Sequence, residues 1–121
     1  MHLWENFYQI TQIPRPSKKE QKILQFIIDL ADSLDMAHQQ DAAGNLVVYV
    51  PGTRDRENRP AVIIQNHVDM VTVKTSDNPH VFDTDPLTLV VEGGWLKADR
   101  TTLGADNGIG CAAALALMTD K

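Results

Sequence analysis

Apolar side chains recur at helical spacing in two stretches near the start of the chain. Leu3, Phe7 and Ile10 follow one another at intervals of four and three residues, which places them on one face of a helix. A longer run with similar spacing comprises Ile23, Leu24, Ile27, Ile28, Ala31 and Leu34. Pro14 and Pro16 stand between the two stretches. Because proline cannot continue a helix, the pattern predicts two separate amphipathic helices.

Residues 17–20 indicate where the second helix begins. Their sequence, Ser-Lys-Lys-Glu, has the spacing of a capping box. In that motif the serine hydroxyl and the glutamate carboxylate each accept a hydrogen bond from a backbone amide that has no partner within the helix. We therefore predict that the second helix starts at Ser17 and continues to about Leu34.

The middle of the chain carries apolar and β-branched runs that lack helical spacing. Residues 46–50 follow a turn sequence at 41–45, which predicts a strand after a turn. The run at 61–65 is mainly apolar and β-branched and does not alternate with polar residues, which is typical of an interior strand that is covered on both faces. Two shorter runs, 87–91 and 95–97, are separated by Glu-Gly-Gly and predict a hairpin.

An Ala- and Leu-rich segment follows these strands and predicts a last helix from about Asp106 through Leu117. Helices interleaved with strands indicate an α/β fold, with a mixed β-sheet flanked by helices. The last helix is still strongly apolar where the chain ends at Lys121. An α/β domain would continue there with another strand. We therefore expect residues 1–121 to be the N-terminal portion of a larger domain, truncated at this point.

Composition narrows the class of protein. With 121 residues and 43% hydrophobic content, the chain has the size of one domain and can bury a core. The net charge of −5 argues against a nucleic-acid partner, which favours a basic surface. No apolar stretch is long enough to span a bilayer, and no signal-peptide pattern occurs. The single cysteine, Cys111, suits a reducing compartment, so we expect a cytoplasmic protein without a membrane partner.

The sequence His67-Val68-Asp69 directly follows the apolar run at 61–65, after Asn66. In a strand, residues two apart point to the same face, so His67 and Asp69 are expected side by side. A metal-bound imidazole normally donates its other N–H to an acceptor that fixes its orientation, and Asp69 could be that acceptor. The same short pattern also occurs at surface strand ends that bind no metal.

A second acidic position, Asp106, lies among three glycines, Gly104, Gly108 and Gly110. A carboxylate in the first turn of a helix is stabilised as an anion, and its two oxygens can bridge two cations, as in two-metal hydrolysis. The alternative is that Asp106 only caps the helix. Gly108 and Gly110 argue against that alternative, because an ordinary helix prefers alanine at such positions.

Other residues with metal-binding or nucleophilic chemistry have a simpler explanation. A polar loop that contains prolines accounts for four of them, Asp77, His80, Asp83 and Asp85. Cys111 on an Ala-rich helix is expected to be a small core residue. The sequence contains no phosphate-binding glycine motif, no serine-nucleophile elbow and no Cys-x-x-Cys pair, so no cofactor-binding residues besides metal ligands are predicted.

Four segments together resemble the aminoacyl-histidine dipeptidases, a bacterial Xaa-His dipeptidase group within the zinc aminopeptidase and carboxypeptidase superfamily. The segments are Leu3-Trp4 with residues 13–17, Gly44-Asn45, residues 67–71 and residues 101–110. The resemblance covers essentially the whole chain. The last segment, Thr-Thr-Leu-Gly-Ala-Asp-Asn-Gly-Ile-Gly, is highly specific. Because the enzymes of this family are several times longer, the resemblance implies that residues 1–121 are the N-terminal portion of the catalytic, metal-binding domain.

The resemblance implies a site with two zinc ions, for which manganese or cobalt could substitute. His67 would ligate one zinc, Asp69 would act in catalysis by orienting that imidazole, and Asp106 would bridge both metals. The peptide bond between Asp106 and Asn107 would be cis. The general base and the remaining ligands are expected beyond residue 121. One departure is Arg100, where the family usually has glycine; a positive φ at this position would strain an arginine.

The expected function is metal-dependent hydrolysis of dipeptides, and the resemblance implies Xaa-His dipeptides as substrates. The 121-residue chain alone is expected to be inactive, because one histidine and one bridging carboxylate fall short of the three protein ligands usual at catalytic zinc. Two alternatives stay open. The chain could be an inactive fragment that acts only as a folding or association module, with homo-oligomers as a consequence, or a related zinc aminopeptidase with another substrate.

Overall fold

The computed structural model of the chain describes residues 2–53 and 55–120. The elements in these ranges, in chain order, are α1 (His2–Thr11), α2 (Gln21–Ser33), β1 (His38–Gln40), β2 (Leu46–Val48), β3 (Leu89–Glu92), β4 (Trp95–Ala98) and α3 (Ala105–Thr119). The three predicted helices are therefore confirmed. No helix in the described ranges has the length and apolar character that crossing a membrane would require.

The core lies between the helices, and α1 packs against α3. Its buried members are Phe7, Ile10, Ile23, Ala31, Cys111, Ala112, Leu115 and Met118. Phe7 and Ile10 have the helical spacing noted in the sequence, and both are almost fully buried. Cys111 is also buried, as predicted for a small core residue. This packing holds the start of α3, where Asp106 lies, against the N-terminal part of the chain.

The predicted start of the second helix was wrong. Helix α2 begins at Gln21. Glu20 is its N-cap residue, but the Glu20 side chain forms no capping hydrogen bond. Glu20 instead accepts a hydrogen bond from the backbone amide of Lys18 at 2.5 Å. The hydroxyl of Ser17 bonds to Asp69, far away in the sequence, and is therefore not available to cap the helix.

Both sheets are short antiparallel hairpins. In the first, β1 pairs with β2 so that His38 lies opposite Val48; strand β1 was not predicted. In the second, β3 pairs with β4, and the hairpin predicted from Glu-Gly-Gly is confirmed. Gly93 and Gly94 at its tip have φ angles of 58° and 79°, which suit glycine in a two-residue turn.

The α/β class is confirmed, but the strand pairing differs from the expected mixed sheet. Each sheet has two antiparallel strands, and parallel pairing in the described chain is confined to one isolated bridge between Pro16 and Met70. Residues 61–65, expected to be an interior strand, form no strand, and Val62 and Ile63 are 84% and 91% exposed. The apolar pattern predicts burial, but no described segment pairs with the backbone of this run, so it stays open to solvent.

Candidate metal centre

His67 and Asp69 lie side by side, as their spacing predicted. The Nδ1–H of His67 donates a hydrogen bond to Oδ1 of Asp69 at 3.0 Å. The following residue, Met70, is held by a backbone hydrogen bond from its amide to the carbonyl of Arg15 at 3.0 Å. Because Nδ1 is bonded to Asp69, the nitrogen that remains for a further partner is Nε2.

The start of α3 brings Asp106 to that nitrogen. Oδ1 of Asp106 lies 3.1 Å from Nε2 of His67, and the Asp106 side chain is 97% exposed. Gly104 precedes the helix with a φ of 68°, and the backbone at Asp106 and Asn107 departs from helical angles. The peptide bond between Asp106 and Asn107 is cis, as the resemblance implied. The structure therefore brings all three expected site residues together, while their roles stay predictions.

The charges around His67 favour its protonated form. The hydrogen bond to Asp106, and then the one to Asp69, raise the pKa of His67 above its ordinary value, because both carboxylates stabilise an imidazolium. The described residues contain no group of three or more His, Cys, Asp and Glu side chains arranged to hold a metal ion. The site consequently offers one imidazole and one accessible carboxylate, with Asp69 behind the imidazole.

Ser17 belongs to this site, although the sequence pattern assigned it to a helix cap. Its hydroxyl donates a hydrogen bond to Oδ2 of Asp69, so that both oxygens of this carboxylate are engaged. The bond from Ser17 is the largest of the contributions that hold the pKa of Asp69 below its usual range. The two residues are 52 positions apart in the chain, and no local signal links them.

Arg15 is a second residue near the site that the sequence pattern did not assign to it. Its side chain is 1% exposed. Nη1 donates hydrogen bonds to the carbonyl oxygens of Val68 at 2.9 Å and Asp69 at 3.1 Å, and Nη2 donates to the carbonyl of Gly104 at 2.6 Å. The guanidinium thus contacts both segments that carry the candidate ligands.

The two glycines of α3, Gly108 and Gly110, allow close approach of other groups. A Cβ atom at Gly108 would lie 2.7 Å from Nη2 of Arg15. A Cβ atom at Gly110 would overlap the side-chain oxygens of Asn107 and Asn66. These two side chains are joined by a hydrogen bond of 3.1 Å from Nδ2 of Asn107 to Oδ1 of Asn66. The glycines therefore make room for the polar groups that surround the cis peptide bond.

The other residues considered as ligands contact residues outside the candidate site. They are Asp77, His80, Asp83 and Asp85. Asp77 accepts a hydrogen bond from Arg100 at 3.0 Å, and Asp83 pairs with Lys19 at 2.5 Å. The amide of His80 donates to Asn78 and its carbonyl accepts from Lys74, and Asp85 accepts hydrogen bonds from Val81 and Thr84. Their explanation as parts of a polar loop agrees with these contacts.

Comparison with known proteins identifies close relatives of the whole chain. No protein-family model matches the sequence. The chain is 42% identical over 119 residues to the cytosol non-specific dipeptidase of Escherichia coli K12, a match that covers 98% of the chain and 24% of the relative. The crystal structure of aminoacylhistidine dipeptidase from Vibrio alginolyticus superposes with a TM-score of 0.95 at 41% identity, again over 98% of the chain and 24% of that protein.

A more distant solved structure shares the fold. It is a tripeptidase from Staphylococcus aureus, with a TM-score of 0.76 at 24% identity over 97% of the chain and 31% of that protein. The chain spans about a quarter of the length of the two closer relatives. The resemblance indicated by the motifs is thereby confirmed: over nearly its whole length, this chain is similar in sequence and in structure to one part of an aminoacyl-histidine dipeptidase.

Proposed function

We propose that this chain contributes part of a two-zinc site that hydrolyses dipeptides. The observation that carries the proposal is the alignment of three side chains, with Asp69 on one nitrogen of His67 and Asp106 on the other. The similarity to two proteins named as dipeptidases supports peptide hydrolysis as the reaction. The metal dependence rests on the chemistry of the donors.

The donor set fits zinc in kind and in spacing. Zinc binds imidazole nitrogen at about 2.0–2.1 Å and carboxylate oxygen at about 2.0–2.2 Å, so two ligands on one tetrahedral ion are about 3.4 Å apart. The 3.1 Å between Nε2 of His67 and Oδ1 of Asp106 is close to that separation. The second oxygen of the exposed Asp106 carboxylate leaves a donor for a second ion, which is why we assign it the bridging role.

The three site residues have distinct roles in this proposal. His67 and Asp106 hold the metal ions, and Asp69 keeps the His67 ring in the orientation that presents Nε2. Zinc, when bound, would polarise the scissile carbonyl and lower the pKa of a water molecule. Asp69 is in turn held by Ser17, so it is bonded on both sides before any metal arrives.

Zinc binding by the 121-residue chain tests the assignment. We expect His67→Ala and Asp106→Asn each to weaken zinc binding by about tenfold or more, measured by competition with a chromophoric chelator. His38→Ala is the matched control, because His38 also pairs with an aspartate, Asp32 at 3.0 Å, outside the site. If the site variants bind zinc as the wild type does, or if His38→Ala weakens binding equally, the assignment is wrong.

The substrate and the activity of this chain are separate proposals. We propose Xaa-His dipeptides as substrates, and inactivity of the 121-residue chain on its own, since two described ligands fall short of the usual three. The Escherichia coli relative is named a non-specific dipeptidase, so the assay should include Ala-His, Ala-Leu and the tripeptide Ala-Ala-Ala with added zinc. Robust zinc-dependent turnover would overturn the expected inactivity, and the preferred peptide would decide the substrate.

We further propose that the protein works in the cytosol. The relative from Escherichia coli carries that location in its name, and the only cysteine of the chain, Cys111, is a free thiol buried in the core. Fractionation of cells that produce the protein tests the location. Recovery in a secreted or membrane fraction would contradict it.

Self-association is a second candidate property, and the open apolar run at 61–65 favours it. Val62, Ile63 and Ile64 are 84%, 91% and 55% exposed, and neighbouring β-branched side chains of this kind promote contact between copies. Analytical ultracentrifugation of the chain and of Ile63→Lys tests this. We expect the wild type to sediment above the mass of a monomer and the variant to shift towards it. A wild type that stays monomeric at high concentration contradicts the proposal.

A further inference from the structure

The guanidinium of Arg15 lies inside the protein and forms no ion pair with any carboxylate of the described residues. The side chain is 1% exposed and is the largest of the fully buried side chains. None of the ion pairs formed between described residues involves it. A buried charge carries a large desolvation cost, and an apolar side chain in the same space is often as stabilising or more so. General stabilisation of the fold is therefore a weak explanation for an arginine at this position.

Its hydrogen bonds show what the charge accomplishes. The two acceptors of Nη1, the carbonyls of Val68 and Asp69, belong to the segment that carries His67. The acceptor of Nη2, the carbonyl of Gly104, also receives the backbone amide of Gly108 at 3.1 Å and so belongs to the first turn of α3. One rigid planar group therefore joins the two segments, and its charge makes these bonds stronger than neutral ones.

Two glycines beside the guanidinium leave room for it. A Cβ atom at Gly104 would lie 2.5 Å from Nη2 of Arg15, and one at Gly108 would lie 2.7 Å from it. The backbone of Arg15 is also held in place. Its carbonyl accepts a hydrogen bond from the amide of Met70, and the adjacent Pro16 forms a parallel bridge with Met70. The side chain and its two glycine neighbours thus fit together as one unit.

We propose that Arg15 is a positioning residue that sets the separation of His67 and Asp106. Its guanidinium bonds to the backbone near each of them and forms no hydrogen bond or ion pair with either side chain. The purpose of this arrangement rests on the proposed metal site. The geometric claim, however, concerns the protein without metal, and it can be tested separately.

Nuclear Overhauser contacts in the zinc-free chain test the geometry. Arg15→Met keeps the length of the side chain and removes its charge and donors, whereas Arg15→Lys keeps the charge but cannot form the same planar set of bonds. Gly108→Ala is a second route, because its Cβ atom would push against Nη2 while the arginine stays in place. The exposed Arg59, changed to Met and to Lys, provides matched controls.

We expect the contact between the His67 ring and the Asp106 β-protons to be lost in Arg15→Met and weakened in Arg15→Lys and Gly108→Ala. Contacts between α1 and α3, such as Asn6 with Ala112, should persist and report that each variant is folded. A purely structural role would lower stability but leave the His67–Asp106 contact unchanged in the folded fraction. That result in any folded Arg15 variant overturns the proposal.

Zinc affinity supplies the second readout and separates the two proposals. If the metal site is as proposed, Arg15→Lys should weaken zinc binding by about tenfold at a temperature where the variant is fully folded, with Arg59→Lys unchanged. If the wild type binds no zinc, the proposed function fails while the Overhauser contacts still decide the role of Arg15. Wild-type zinc affinity in folded Arg15→Lys, despite a working site, also contradicts the positioning role.

Discussion

Ser17 donates its hydroxyl hydrogen to Oδ2 of Asp69, and this bond engages the oxygen that His67 leaves free. A carboxylate bonded on both sides cannot rotate without breaking one of the bonds. The Ser17 hydroxyl therefore limits the orientations open to Asp69 and, through it, to the imidazole ring. This relationship leads to a test that removes only one hydroxyl group.

Ser17→Ala is expected to weaken zinc binding several-fold. Removing the direct hydrogen-bond partner of a metal ligand lowers metal affinity by about tenfold or more. We expect a smaller loss here, because Ser17 acts on His67 only through Asp69. Competition with a chelator measures the effect. Ser17→Thr keeps the hydroxyl and should bind as the wild type does, and Ser33→Ala removes a hydroxyl that bonds only within α2. Equal affinities of Ser17→Ala and Ser33→Ala would show that the bond to Asp69 has no role in metal binding.

Gly110→Ala is expected to destabilise the protein, although alanine favours helices. The added Cβ atom would meet the side-chain oxygens of Asn66 and Asn107, and such overpacking costs about 1–3 kcal/mol. Chemical denaturation measures the free energy of unfolding. At the exposed position Ala113, the opposite change, Ala113→Gly, should cost about 1 kcal/mol from helix propensity alone. A Gly110→Ala variant more stable than the wild type would mean that the asparagines move aside freely.

Arg100 stands where the family usually has glycine, and its φ is positive, at 52°. The backbone here is therefore in the left-handed region that favours glycine. Non-glycine residues there cost about 1–2 kcal/mol in the left-handed region, so Arg100→Gly should unfold with a free energy about 1 kcal/mol larger than Arg100→Ala. Both variants lose the exposed ion pairs to Asp77 and Asp99, so these cancel in the comparison. Thermal or denaturant unfolding of the two variants measures the difference, and an alanine variant at least as stable as the glycine variant contradicts it.

Asp41 makes the turn before β2 sensitive to acid. Its carboxylate accepts hydrogen bonds from the Asn45 side chain at 2.8 Å and from the amides of Ala43 and Asn45 at 2.9 Å each. The Asn45 side chain is the largest cause that lowers the pKa of Asp41. Because the folded pKa lies below the unfolded value of about 3.9, the contribution of this group is present above that value and is lost as the pH falls through the folded pKa.

Nuclear magnetic resonance of the Asp41 carboxyl carbon between pH 7 and pH 2 measures this transition. In Asn45→Ala we expect the midpoint to move to higher pH, towards the ordinary value for aspartate, because the main stabilising bond is gone. The amide signals of Ala43 and Gly44 should change over the same pH range as the carboxyl signal. An unchanged or lower midpoint in Asn45→Ala would show that the side-chain bond does not hold the carboxylate ionised.

Helices and the second hairpin could be predicted because their signals are local. The spacing of Phe7 and Ile10 places them on one helical face, and Gly93 with Gly94 supplies the positive φ angles of a tight turn. The run at 61–65 could not be interpreted in the same way. Apolar side chains report a preference for burial, but whether a neighbour covers them depends on other segments, and the described chain supplies none.

The sequence by itself determined the order of the helices, the close spacing of His67 and Asp69, and the glycine-rich setting of Asp106. Only the tertiary structure decided that Ser17 bonds to Asp69 and that Arg15 joins two distant segments, because these partners lie 52 to 89 positions apart. A hydroxyl or a guanidinium can donate to many different oxygen atoms, local or distant. The packing of α1 against α3 brings the carbonyl of Gly104 to Arg15, and the bridge between Pro16 and Met70 brings Asp69 to Ser17.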